Sequence, residues 1–178
     1  MSMSDRVIAA GIAVMLLSGP AWAGPGLGQP ATPEEVAAWD ISIGPDGASL
    51  PPGGGTAKQG AVVYEAKCLS CHGEGGAGGE NLADPLVGGI GSLASTQPVK
   101  TVGSFWPHAT TLFDYIRRAM PYDAPLSLTD DEVYAVSAYV LWRNDGIVGE
   151  DEVLNAETLH RVKMPNREGF VPYWPPPK

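Results

Sequence analysis

The sequence predicts an all-α fold. Two capping boxes, Thr56-x-x-Gln59 and Thr129-x-x-Glu132, each open a run of residues at helical spacing, and a shorter helical run from Leu112 to Ala119 lies between them. The chain of 178 residues suffices for one compact domain with extensions, and a hydrophobic content of 44% is ordinary for a globular protein.

Residues 1–23 read as a secretory signal peptide: Arg6, an apolar run from Val7 to Leu17, then Ser18-Gly19-Pro20 and Ala21-Trp22-Ala23 before Gly24. A retained anchor is the alternative, but the helix-breaking Gly19-Pro20 and the A-x-A pattern favour cleavage. The apolar run is short for a bilayer and no second one follows, so a periplasmic chain with no membrane span after processing is expected. Processing removes Asp5 and Arg6 together and leaves the net charge of −9. An acidic chain lacks the basic footprint of a nucleic-acid binder, so no nucleic acid is expected as a partner.

Residues 24–55 are rich in proline and glycine and read as an extended arm, with Trp39-Asp40-Ile41 as an anchor. The first helix starts at Thr56 and runs through Val62, Val63, Ala66 and Lys67. Gly60 inside it costs about 1 kcal/mol relative to alanine, which marks a place where another backbone approaches, with Tyr64 one turn later on the same face. The helix near Leu112–Ala119 has Thr111 at its start and ends at Pro121. The last helix carries Val133, Val136, Tyr139 and Val140 as an apolar stripe, with Leu128 and Val133 as a hydrophobic staple, and Asn144 and Gly146 as stop signals. It is expected to cross the helix holding Gly60 and Tyr64. From Ile147 to Lys178 the chain reads as a C-terminal extension ending in Tyr173-Trp174-Pro175-Pro176-Pro177, a rigid stretch suited to a partner contact.

The only cysteines fall in Cys68-Leu69-Ser70-Cys71-His72, a C-x-x-C-H haem attachment motif: two thiols spaced to add to two vinyl groups, followed by an imidazole for the iron. Half a zinc site would need two further ligands nearby, and the remaining histidines, His108 and His160, are isolated. A thioredoxin-type pair expects a preceding strand, and a plain disulfide leaves His72 unexplained. One covalent haem c held by Cys68 and Cys71, with His72 on the iron, is the reading that uses all three residues.

Met1, Met3 and Met15 leave with the signal, so Met120 and Met164 are the methionine candidates for the second axial position. Met120, at a helix end and before Pro121, is expected to be the ligand. Met164, in a polar tail, is expected at the surface or against a partner, and His108 and His160 are further candidates for the iron. Leu82, Leu86, Val87, Phe105, Leu112, Ile116 and Leu128 are candidates for the haem walls, within reach of a glycine-rich segment from Gly73 to Gly91. Trp106, Tyr122 and Arg117 are candidates for the propionates, with Arg117 or Arg118 equally suited to solvent or a partner.

The Gly60/Tyr64 helix, the attachment motif, the Met-Pro loop and the last helix with Tyr139 together resemble a class I cytochrome c over residues 56–146. Phe105-Trp106-Pro107, the run from Thr110 to Pro125, Ser127 to Val140 and Val162-Lys163-Met164-Pro165-Asn166-Arg167 resemble, more narrowly, the haem subunit of periplasmic Sox-type sulfite and sulfane dehydrogenases. That resemblance implies a class I cytochrome c fold with extended arms, and a heteromer in which a molybdenum-cofactor subunit oxidises a sulfur compound while this chain takes electrons singly. A cytochrome or oxidase would then be the downstream electron acceptor, and Pro85 would support His72. No catalytic site of its own is expected. A freely diffusing periplasmic electron carrier for another dehydrogenase or oxidase shares every haem residue, and a haem sensor or enzyme would need an open iron position, which Met120 argues against.

Overall fold

The computed structural model describes residues 28–80 and 82–171. The expected signal peptide and the Tyr173–Pro177 stretch lie outside the described residues. The chain divides into a unit ending at Asp40 and a larger unit beginning at Ile41.

In the first unit the described backbone contains one helix, α1 (Pro33–Trp39). The segment expected to be extended is therefore helical in part. Thr32 accepts a hydrogen bond from the Glu35 N–H while the Glu35 carboxylate accepts one from the Thr32 N–H, and Pro33 at the first helical position has its φ preset. None of its residues is buried, and Trp39, expected as an anchor, is 84% exposed.

Among the described residues of the larger unit, the regular structure is helical apart from one pair of two-residue strands. Strand β1 (Gly54–Gly55) pairs antiparallel with β2 (Leu154–Asn155), Gly54 opposite Asn155 and Gly55 opposite Leu154. Between them come α2 (Ala57–Lys67), the single turn α3 (Leu69–His72), α4 (Val102–Phe105), α5 (Ala109–Ala119) and α6 (Asp130–Arg143). Short 3-10 turns lie at Glu74–Gly76, Ser92–Ala94 and Leu159–Arg161. Among the described residues no helix is long and apolar enough to cross a membrane.

Both capping boxes form as the sequence predicts, with Thr56 and Thr129 accepting from the backbone N–H of Gln59 and Glu132. The expected crossing of α2 and α6 is also present. Gly60 faces Ala135, and the Tyr64 and Tyr139 rings sit 4.9 Å apart between centroids. Beyond its expected stripe, α6 is buried on most of its circumference, because α2, β1, α5 and β2 all pack against it. Phe113 of α5 packs on Tyr134 of α6 with centroids 4.5 Å apart, and both are shielded from solvent.

Helix α5 begins three residues before the expected Leu112. His108 precedes it without a side-chain cap, while Ala109 and Thr110 are buried, so packing rather than a local cap sets this start. Asp114 accepts from the Ile43 N–H at 3.0 Å and pairs with Arg118 at 2.9 Å. The C-terminal stretch wraps back onto this core: Val148, Leu154, Leu159, Val162 and Met164 are all buried. Met164 is 3% exposed, which overturns the expected surface position; apolar side chains at 159, 162 and 164 turn inward although the intervening residues are polar.

Candidate functional site between α3 and the end of α5

The attachment motif is folded as one helical turn. The Cys71 and His72 N–H groups both donate to the Cys68 carbonyl, at 3.2 and 3.0 Å, and the Cys68 N–H donates to the Tyr64 carbonyl at 2.9 Å. Residues three and four apart share a helix face, so this turn brings positions 68, 71 and 72 together. Gly73 then ends the turn at φ +72, and its carbonyl accepts from the Tyr64 hydroxyl at 2.8 Å. Two further bonds fix the loop, from Gly78 N–H to the His72 carbonyl at 2.9 Å and from Ala83 N–H to the Cys71 carbonyl at 2.8 Å.

Cys68, Cys71, His72 and Met120 all line one cavity of about 910 Å³. That volume lies in the range of roughly 300–1,000 Å³ common for cofactor clefts. Met120 reaches it from the C-terminal cap of α5, where the backbone turns extended after its N–H donates to the Ile116 carbonyl at 3.0 Å. Leu82, Leu86, Leu112, Ile116 and Leu128 supply apolar walls as the sequence predicts, and Val102, Val136 and Val140 add to them. From the sequence, Val136 and Val140 are assignable only to the helix stripe; no local signal separates a pocket wall from ordinary core.

Several expected neighbours lie elsewhere. Val87 and Phe105 do not line the cavity; Phe105 stacks edge-on against Phe170 with centroids 5.2 Å apart and lies under the Lys100 ammonium. Arg117 pairs with Asp130 at 3.1 Å and is likewise absent from the lining, whereas Trp106 and Tyr122 are on it. His108, His160 and Met164, the alternatives to Met120, do not line it either.

Burial shapes the chemistry of the motif. It pushes the Cys68 thiol up to about 11, with Lys67 pulling the other way and Cys71 adding to the rise, while the Tyr64 phenol is pushed up to about 12 chiefly by burial. Burial also lowers the His72 imidazole below its ordinary value, which favours the neutral form that binds metals. Its Nδ1 is buried with no hydrogen-bond partner among the described residues, so the expected support from Pro85 is not made as a hydrogen bond here. Two thiols and a neutral imidazole on one turn, facing an apolar cleft with a thioether on its wall, suit a flat, apolar, iron-containing macrocycle.

This chain is similar to several known proteins. The family model described as cytochrome c oxidase, cbb3-type, subunit III, matches residues 55–140. A thiosulfate dehydrogenase of Allochromatium vinosum is 33% identical over 87 residues, which is 46% of this chain and 29% of that protein. The chain thus spans under a third of the length of that relative. The crystal structure of the sulfane dehydrogenase SoxCD from Paracoccus pantotrophus matches with a TM-score of 0.76 and 43% identity, covering 84% of this chain and 72% of the matched one. This chain belongs to the class I cytochromes c, carries haem c as its covalent cofactor, and resembles the haem subunit of Sox-type sulfane dehydrogenases.

Proposed function

We propose that this chain is the electron-accepting haem subunit of a periplasmic, molybdenum-dependent sulfite or sulfane dehydrogenase. The observation that carries the reading is the match to SoxCD, at 43% identity over 84% of this chain. Cys68 and Cys71 would hold the haem through thioether links, and the His72 imidazole and Met120 thioether would bind its iron; all four line the same cavity. When bound, the haem would supply one-electron storage, and ligation by an imidazole and a thioether would favour the reduced state. The protein's own residues orient the group and exclude water: α3 holds the thiols in register, and the end of α5 presents the sulfur. The exposed parts of the two flanking segments, Trp39 in the first and Phe170 in the second, would serve as contacts to the molybdenum subunit, while the buried residues from Val148 to Met164 belong to this chain's own core. Reduction of a downstream cytochrome or oxidase completes the cycle.

Purification of the native assembly, with molybdenum assayed and haem reduction followed on adding sulfite or a sulfane donor, tests the reading. Co-purified molybdenum and rapid haem reduction are expected. A haem protein that runs alone and remains oxidised overturns it in favour of a freely diffusing carrier.

A further inference from the structure

We propose that Asn144 is a positioning residue for the haem pocket, its amide tying the backbone of residues 86–88 to the end of α6 and holding one wall of the cavity in place. Asn144 caps α6 and is 1% exposed, so its side chain turns inward where a helix terminus would ordinarily present it to water. Its Nδ2 donates to the Val140 carbonyl at 2.8 Å and to the Leu86 carbonyl at 3.1 Å, and its Oδ1 accepts from the Gly88 N–H at 3.1 Å. Both amide donors are used. The bond to Val140 satisfies a helix-end carbonyl, but the remaining two reach into a loop 56 and 58 residues earlier, which no capping requirement explains.

What that loop does gives the contacts their meaning. Leu86 and Val140 both line the cavity with His72. The Leu86 N–H donates to the Gly76 carbonyl at 2.8 Å, in the turn just after His72, and the Leu86 carbonyl also accepts from Val102 N–H at 3.1 Å. Through the Leu86 backbone the amide therefore links α6 to α4 and to the turn that follows His72. Helix α4 runs so close that a Cβ on Gly103 would collide with the Asn144 side chain. Gly88 itself is exposed, so the segment Asn144 restrains lies between the cavity and solvent. Loosening it admits water to the pocket, and the higher local polarity stabilises the more charged oxidised iron.

The inference rests on haem c occupying this cavity and is independent of which partner the chain serves. The test uses the full haem-loaded chain with Asn144→Ala, the milder Asn144→Ser, and Leu154→Ala as a control, a fully buried core residue that does not line the cavity. Midpoint potential and hydrogen exchange of the Gly88 N–H are read for each. Both Asn144 variants are expected to shift the one-electron equilibrium roughly tenfold toward the oxidised form, about 59 mV, with the thioether-ligated spectrum kept. Gly88 exchange should quicken in both, and neither change should appear in Leu154→Ala. Lowered thermal stability with an unchanged potential in the Asn144 variants, or an equal shift in the control, overturns the proposal. Should Asn144→Ala yield no haem protein, Asn144→Ser decides by the same two readings.

Discussion

Gly60 of α2 lies against the backbone of Ala135 in α6 so closely that a Cβ at position 60 would collide with the Ala135 carbonyl oxygen and come within 2.8 Å of the Tyr139 Cβ. Gly55 meets the same residue from β1, where an added Cβ would lie 2.6 Å from the Ala135 Cα. Ala135 is thus gripped between two glycines, and α6 seats on α2 and β1 by close backbone approach. That approach places Tyr64 beneath the Gly73 carbonyl and the attachment turn directly beyond the crossing.

The crossing sets up a contest between two effects at one position. Gly60→Ala gains about 1 kcal/mol of helix propensity. It also inserts a methyl against backbone, which cannot rotate away, and overpacking of this kind costs about 1–3 kcal/mol or more. The clash should win. Thermal unfolding of the haem-loaded variant is expected to show a lower Tm than the unsubstituted protein, and an unchanged or higher Tm would mean the helices separate at little cost.

Met120 and the motif cysteines line the same cavity from different helices, so their losses should separate. Met120→Ala is expected to abolish the low-spin absorption of a thioether-ligated haem while the haem stays covalently attached through Cys68 and Cys71. Visible spectra and a haem stain after denaturing electrophoresis check both halves. An unchanged spectrum would remove Met120 from the iron.

Those positions also show what a sequence exposes. Gly60 and the boxes at Thr56 and Thr129 are legible because each is a local rule with a local cost, and the C-x-x-C-H motif because its spacing is one helical turn. Helix α1 carries its own box, Thr32 with Glu35, and Pro33 at its start, but the surrounding prolines and glycines outweigh them in the composition. Helix α4 is opened by Thr101 and Ser104, where serine replaces the usual Glu or Gln and leaves no recognisable box. Phe105 cannot be placed from sequence, because its direction depends on where Asn166 anchors the Phe105 carbonyl, 61 residues away.

Glu132 makes the start of α6 sensitive to acid. Its carboxyl is held below the ordinary value of 4.5, first by the Lys67 hydrogen bond at 2.8 Å and then by its bond to the Thr129 backbone. A depressed acid contributes stability that is complete above its ordinary value and is lost as pH falls through the lower folded value. Glu132→Gln keeps an oxygen for the cap and loses the charge, so it should cost about 1 kcal/mol or less near neutrality, given a pair about a third exposed. That deficit should shrink below pH 4.5, and denaturant titrations at neutral and acid pH measure it. A deficit that persists in acid would assign the effect to the cap geometry instead of the charge.

Met164 supplies the converse of Met120. It is followed by proline and has the same soft sulfur, yet it is 3% exposed in the core and does not line the haem cavity. Its role in this structure is to fill volume beside Leu159 and Val162, and truncating a buried methionine costs about 2–5 kcal/mol because the neighbours relax only in part. Met164→Ala should therefore lower the denaturant midpoint strongly and leave the haem spectrum and potential as they were. Met164→Leu, which conserves volume, should restore most of the stability. A spectral change in Met164→Leu at full stability would tie the C-terminal stretch to the iron, an outcome the packing of the chain around residue 164 argues against, since the sulfur would have to leave the core to reach it.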